Sequence, residues 1–176
     1  SRLDSTTDAA LEPHAPRVDP GGGERLYLED IEVGLTFESP WFTVEREEII
    51  AFAARWDPVA FHLDEEAAKA SVFGGLVACA PHIFAISSRL SYFLPRTLAL
   101  VAGLGGDGLQ LLAPVRAGSR VRLVRRFTGA RPSKSHPNAG VVSLEDTLVT
   151  PEGEIVFRTS GSLLLARRET DAEATP

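Results

Sequence analysis

The stretch Pro81-His82-Ile83-Phe84-Ala85-Ile86-Ser87-Ser88-Arg89-Leu90-Ser91-Tyr92-Phe93-Leu94 decides how the rest of the chain must fold. Proline suits the first position of a helix, where its missing N–H is not needed. Pro95 cannot continue a helix, because it lacks the donor and clashes with the preceding turn. The stretch therefore predicts a helix from Pro81 to about Leu94. Ile83, Phe84, Ile86, Leu90, Phe93 and Leu94 make it apolar on most sides, and a helix apolar nearly all round is a buried one. At about 1.5 Å per residue it spans about 21 Å, enough to lie across a curved sheet.

The sequence after this helix reads as strands. Leu98–Leu104 and Leu109–Leu112 are two strands, or one bent strand interrupted by Gly105-Gly106-Asp107-Gly108. Arg116–Ser119 is a turn, and Arg120–Thr128 follows with Val121, Leu123 and Phe127 on one face. After a Pro- and Gly-containing loop, Val141–Val149 and Ile155–Leu165 are joined by a tight Pro151-Glu152-Gly153 turn. Before the helix, a strand near Thr36–Phe42 leads to a helix over Glu45–Arg55, with Ile49, Phe52, Ala53 and Trp56 on one apolar face. Asp57-Pro58 ends that helix, because the residue before proline is driven out of the α region. Asp64 caps a short helix over Glu65–Ala70. The order predicts an α+β domain in which an antiparallel sheet wraps one buried helix. An open sheet edge needs cover, and a second copy supplies it.

The chain has 176 residues, 44% hydrophobic and 24% charged, which suits one globular domain. Ser, Thr, Asp, Pro and Gly dominate residues 1–24, and 169–176 are similar, so the folded domain is expected over 25–168 with a disordered tail at each end. A net charge of −6 gives no electrostatic footprint for general nucleic-acid binding. The single cysteine, Cys79, excludes an internal disulfide and a four-cysteine zinc site, and fits a reducing compartment. No apolar run reaches the ~20 residues of a membrane helix, and Ser1-Arg2-Leu3-Asp4 has no secretory signal core. These features read as a cytoplasmic protein with neither nucleic acid nor membrane as partner.

Of the four histidines, His14 lies in the tail, His136 in a polar loop and His82 at the start of the buried helix. His62 follows Asp57 by five positions across a proline-constrained segment between two helices. Such a loop brings a carboxylate and an imidazole to one cavity, where they can orient a water and move its proton. The same spacing also describes a capped turn bearing a surface histidine. Cys79, at a helix start, is either an activated thiol or a packed small hydrophobe, and packing is the favoured reading.

Asp57-Pro58-Val59-Ala60-Phe61-His62, Asp64-Glu65-Glu66-Ala67-Ala68 and Phe73-Gly74-Gly75-Leu76-Val77-Ala78 together resemble the MaoC-type hydratase family of the hot-dog fold. The family pattern is D-x-N-P-apolar-H with Ala or Ser six residues on, where Ala68 stands. Tyr27–Gly34, Leu112–Gly118 and Arg131-Pro132-Ser133-Lys134-Ser135 extend the resemblance over 25–168. It implies reversible addition of water to a trans-2-enoyl thioester of coenzyme A, or of a carrier protein, giving the (R)-3-hydroxyacyl thioester. It also implies that neither metal nor redox cofactor takes part. Asp57 and His62 match the residues that hold the water and shuttle its proton. The backbone N–H of Ala80 matches the donor that polarises the thioester carbonyl. Ser88 matches a hydroxyl bonded to the catalytic carboxylate, though a helix serine also bonds its own backbone. Arg131 and Lys134 either meet the phosphates of coenzyme A, from this chain or a partner subunit, or form a solvated loop. The resemblance further implies a homodimer or an assembly of dimers.

Val59 and Ala60 replace the pattern's asparagine and proline, and Ala80 replaces its usual glycine. The alternatives are therefore a hot-dog acyl-CoA thioesterase, in which Asp57 or Asp64 activates water against the carbonyl, and a degenerate, non-catalytic acyl-binding homologue.

Overall fold

The computed structural model describes residues 24–168. The expected tails, and His14 with them, lie outside the described residues, except that Glu24 is ordered against Arg96 and Arg168. The elements are β1 (Thr36–Glu38), β2 (Phe42–Thr43), α1 (Arg46–Trp56), α2 (Ala60–Leu63), α3 (Glu65–Ala70), α4 (Ala80–Leu90), β3 (Leu100–Leu111), β4 (Arg120–Pro132), β5 (Ala139–Val149) and β6 (Ile155–Ala166). The six strands form one antiparallel sheet of order β1-β4-β5-β6-β3, with β2 also on β4. The expected α+β architecture, a sheet wrapped on a single helix, is the one observed.

α4 is held by Ile83, Ile86 and Leu90, which pack with Val121 and Leu123 of β4, Leu148 of β5 and Val156 and Phe157 of β6. Burying each such side chain stabilises the fold by about 2 kcal/mol. The α4 helix starts one residue earlier than expected, at Ala80, and its regular part stops at Leu90; Ser91–Phe93 tighten into a 3-10 turn. Nor is it buried all round. Phe84 is 48% exposed and Tyr92 57%, so the face carrying Phe84 and Ser88 is not covered by its own sheet.

Three further expectations are corrected. The strand expected over Thr36–Phe42 is broken at Ser39-Pro40. Proline has no N–H to give the ladder, and the Ser39 hydroxyl instead accepts the Leu123 N–H at 2.9 Å. Trp56 lies off the buried face of α1, where Ile49 and Ala53 are enclosed, and is 61% exposed. His62 belongs to the single-turn helix α2 rather than to an irregular loop. The glycine-rich stretch proves to be one bent strand, β3, with Gly105 and Gly108 at positive φ of 138° and 64° and register shifts beside them.

The inward face of β4 and β5 carries two apolar clusters with an ion pair between them. Val121, Leu123 and Leu148 belong to the cluster under α4; Phe127, Val142 and Leu144 belong to a second, closed by Leu26, Leu28 and Ile31. Between them the cross-strand neighbours Arg125 and Asp146 form a buried bidentate pair at 2.8 and 2.7 Å. Removing one partner strands the other charge out of water. Asp146→Ala is therefore expected to lower unfolding stability by about 3 kcal/mol, and Arg125→Met/Asp146→Leu to recover most of that loss. Urea titration of the three proteins checks it; equal midpoints for Asp146→Ala and wild type count against the argument.

Candidate active site

Asp57 caps the C-terminus of α1, its N–H bonded to the Ala53 carbonyl at 2.9 Å. The Asp57 carbonyl accepts the Val59 N–H at 2.8 Å, and the Val59 carbonyl accepts the His62 N–H at 2.9 Å. This turn, stiffened by Pro58, folds the His62 ring back beside the carboxylate. His62 Nε2 lies 4.0 Å from Asp57 Oδ2. That is too long for a hydrogen bond and short enough for one water to contact both. His62 is buried, whereas the Asp57 side chain is 34% exposed, so the pair opens outward on the carboxylate side.

The imidazole is oriented from behind. His62 Nδ1 lies 2.7 Å from the Val77 carbonyl. A carbonyl only accepts, so Nδ1 carries a proton, and the nitrogen facing the Asp57 side, Nε2, is the one left to exchange a proton there. Phe61 meets the His62 ring at 4.5 Å and Phe73 at 5.2 Å, giving the site an aromatic wall. The orienting group is a backbone carbonyl, so no side chain marked it in the sequence.

The segment Val77–Cys79 runs from that carbonyl into α4. It is tied to the connection between β3 and β4 by the Ala78 N–H on the Val115 carbonyl at 2.8 Å and by the Val77–Arg116 bridge. Ala80 is the first residue of α4, and its N–H has no acceptor among the described residues. Pro81 follows with no N–H at all, so the part-buried Ala80 carries a donor at a helix end that favours negative charge. Cys79 is 1% exposed. Burial pushes its thiol above the usual range; the His82 backbone N–H opposes this, and the charge of Asp57 adds to it. The thiol is accordingly protonated near neutrality, as the packing reading requires. A thiol reagent is expected to label Cys79 far more slowly in native than in urea-unfolded protein; equal rates would contradict its enclosure.

Asp57 and His62 are thus brought together, and Ala80 follows three residues after the Val77 carbonyl that holds His62, whereas the other candidates lie elsewhere in the chain. Ser88 stands about 12 Å along α4 from Ala80. It is exposed, its carbonyl accepts the Ser91 hydroxyl at 2.8 Å, and it borders a separate cavity of about 700 Å³ with Phe84, Tyr92, Arg125 and Asp146. Arg131 and Lys134 are exposed at the far end of β4, roughly 30 Å of strand from Arg122. Among the described residues no group of three or more His, Cys, Asp or Glu is placed to hold a metal, and no helix is long and apolar enough to cross a membrane.

Residues 30–149 match the MaoC-like domain, more than half of the chain. The chain belongs to the MaoC-like family. A MaoC-like dehydratase from Rhodospirillum rubrum is 37% identical, with a TM-score of 0.74, and the match covers 82% of this chain and 99% of that one. The R-hydratase PhaJ1 from Pseudomonas aeruginosa shares the fold at 22% identity and a TM-score of 0.65, covering 86% of this chain and 95% of that one. The uncharacterized protein YdeM of Bacillus subtilis (strain 168) is 33% identical over 65 residues, a stretch covering 37% of this chain and 46% of YdeM. This chain is therefore a hot-dog domain of the MaoC-like dehydratase family.

Proposed function

We propose that the protein interconverts trans-2-enoyl thioesters and (R)-3-hydroxyacyl thioesters of coenzyme A or a carrier protein, without metal or redox cofactor. The observation that carries this reading is the 4.0 Å separation of His62 Nε2 from Asp57 Oδ2, with Nδ1 held by Val77. A water seated between them gives a proton to the Nε2 lone pair as its oxygen bonds to C3. The electron pair of the double bond moves onto the thioester carbonyl oxygen, where the Ala80 N–H and the α4 dipole stabilise the enolate. The proton held by the Asp57–His62 pair then passes to C2, which completes the addition of water. Trp56 and Val59, exposed on either side of the Asp57-Pro58 step, supply apolar surface for an acyl chain.

Purified protein is expected to bleach the conjugated absorbance of crotonyl-CoA without releasing free thiol; thiol release instead identifies a thioesterase, and tight binding without turnover a non-catalytic homologue. Asp57→Asn and His62→Ala are each expected to lower kcat by about 100-fold or more. Ala80→Pro removes one N–H at a position where proline is tolerated in a helix, and is expected to cost about 100-fold in kcat with the fold intact. Full turnover in both Asp57→Asn and His62→Ala rejects the assignment.

The working unit is proposed to be a homodimer. Leu100, Val101, Leu104, Leu109 and Leu111 are exposed along β3, the free end of the sheet, and Phe84 and Tyr92 are exposed beside them. Apolar surface of this extent marks an interface. In a two-fold pair, Arg131 and Lys134 of one copy would serve the Asp57 site of the other. Sedimentation equilibrium is expected to return twice the chain mass; a monomer at every concentration tested is the contrary result.

A further inference from the structure

The two halves of the Asp57–His62 pair are carried by different supports. Asp57 is delivered by the end of α1. His62 is pinned to Val77, on the segment that becomes α4. Their separation therefore depends on how α1 sits on α4 as well as on the Pro58 turn that joins them. α1 is held lightly: Ile49 and Ala53 are its buried residues, and its N-cap, Glu45, makes no side-chain capping bond.

One polar side chain crosses this helix pair. His82, in the first turn of α4, is 1% exposed. Its ring stacks on Phe52 of α1 with centroids 4.5 Å apart and planes at 10°. Its Nε2 lies 3.3 Å from Glu48 Oε1, one turn earlier on α1. The approach lacks the alignment of a hydrogen bond, and neither ring nitrogen has a hydrogen-bond partner among the described residues. A buried imidazole held this way is less favourable than an apolar side chain of similar size, so packing alone does not account for it. Glu48 and Phe52 lie on the same face of α1, and Asp57 follows nine residues after Glu48, about 14 Å along the helix.

We propose that His82, clamped between Glu48 and Phe52, is a positioning residue that sets where α1 delivers Asp57 beside the start of α4. The proposal rests on the hydration reading of the Asp57–His62 site. His82 touches neither substrate nor the reacting water; it acts through the placement of Asp57. A displacement on the scale of an ångström at a reacting group lowers turnover by one to two orders of magnitude while leaving substrate binding on other surfaces intact.

The test compares kcat and KM for crotonyl-CoA in the full chain and in His82→Leu, His82→Gln and Glu48→Ala. His82→Leu is expected to fold with unchanged or higher Tm, keep KM, and lose about tenfold in kcat. Glu48→Ala, at a half-exposed site that leaves the core intact, is expected to lose kcat in the same sense. His82→Gln, which restores a donor near the Nε2 position, is expected to recover most of the loss. A purely structural role would move Tm and leave the kcat–KM split and the glutamine rescue unseen. Wild-type kcat in both His82→Leu and Glu48→Ala overturns the proposal, and Glu48→Ala decides alone if His82→Leu fails to fold. If the wild-type chain itself does not hydrate crotonyl-CoA, the hydration reading falls, and amide exchange decides the clamp: faster exchange at Asp57 and Val59 in Glu48→Ala supports it, and unchanged exchange overturns it.

Discussion

The hydrogen bond from His62 Nδ1 to the Val77 carbonyl is the contact on which the site depends. It joins a one-turn helix that has little core of its own to the strand-like segment feeding the buried helix. The same bond assigns the imidazole proton, so one contact decides both where the base stands and which nitrogen is basic. Val77 is in turn fixed by its bridge to Arg116, and Ala78 by Val115, in the connection that joins the long strands β3 and β4. Position is thus handed from the sheet, through a backbone carbonyl, to a side chain that must be placed within a fraction of an ångström.

The sheet supplies the rigidity this requires. β4, β5 and β6 pair over nearly their full lengths, and their inward faces close on α4 with Val121, Leu123, Leu148 and Phe157. The Arg125–Asp146 pair interrupts that apolar face rather than extending it. A buried ion pair often contributes less net stability than apolar packing of equal volume, and losing one partner costs more than losing both. In this sheet it marks the boundary between the cluster under α4 and the cluster closed by Leu26, Leu28 and Ile31.

The parts legible in the sequence were those governed by local pattern. The alternation of Val121, Leu123 and Phe127, the Asp64 cap, whose carboxylate accepts the Ala67 N–H at 2.7 Å, and the proline-punctuated run into α4 each follow from near neighbours along the chain. What could not be read was set across space. Trp56, the last residue of α1, keeps helical spacing with Ile49 and Ala53 yet turns to solvent. Phe84 reads as core, and its own chain leaves it uncovered. Within the site, Asp57 and His62 were visible as a spacing, while the carbonyl that orients His62 carries no side-chain signature. The places of Ala80 at the start of α4, of Ser88 two turns on and of Arg131 and Lys134 at the end of β4 follow from the fold rather than from any local spacing to Asp57.

The bent strand β3 bears on how the protein avoids uncontrolled polymerisation. It is the terminal strand of the sheet, rich in leucine, with backbone donors and acceptors facing outward. A long flat edge of that kind templates fibrils. Here the register slips between Leu100 and Ala102, between Gly103 and Gly105, and again between Asp107 and Gln110, while Gly105 and Gly108 turn the backbone left-handed. An arbitrary extended peptide cannot follow those breaks for more than a few residues. The irregularity that looks like poor strand-forming sequence acts as a key cut into the edge, and it screens incoming chains by shape before any side chain is compared.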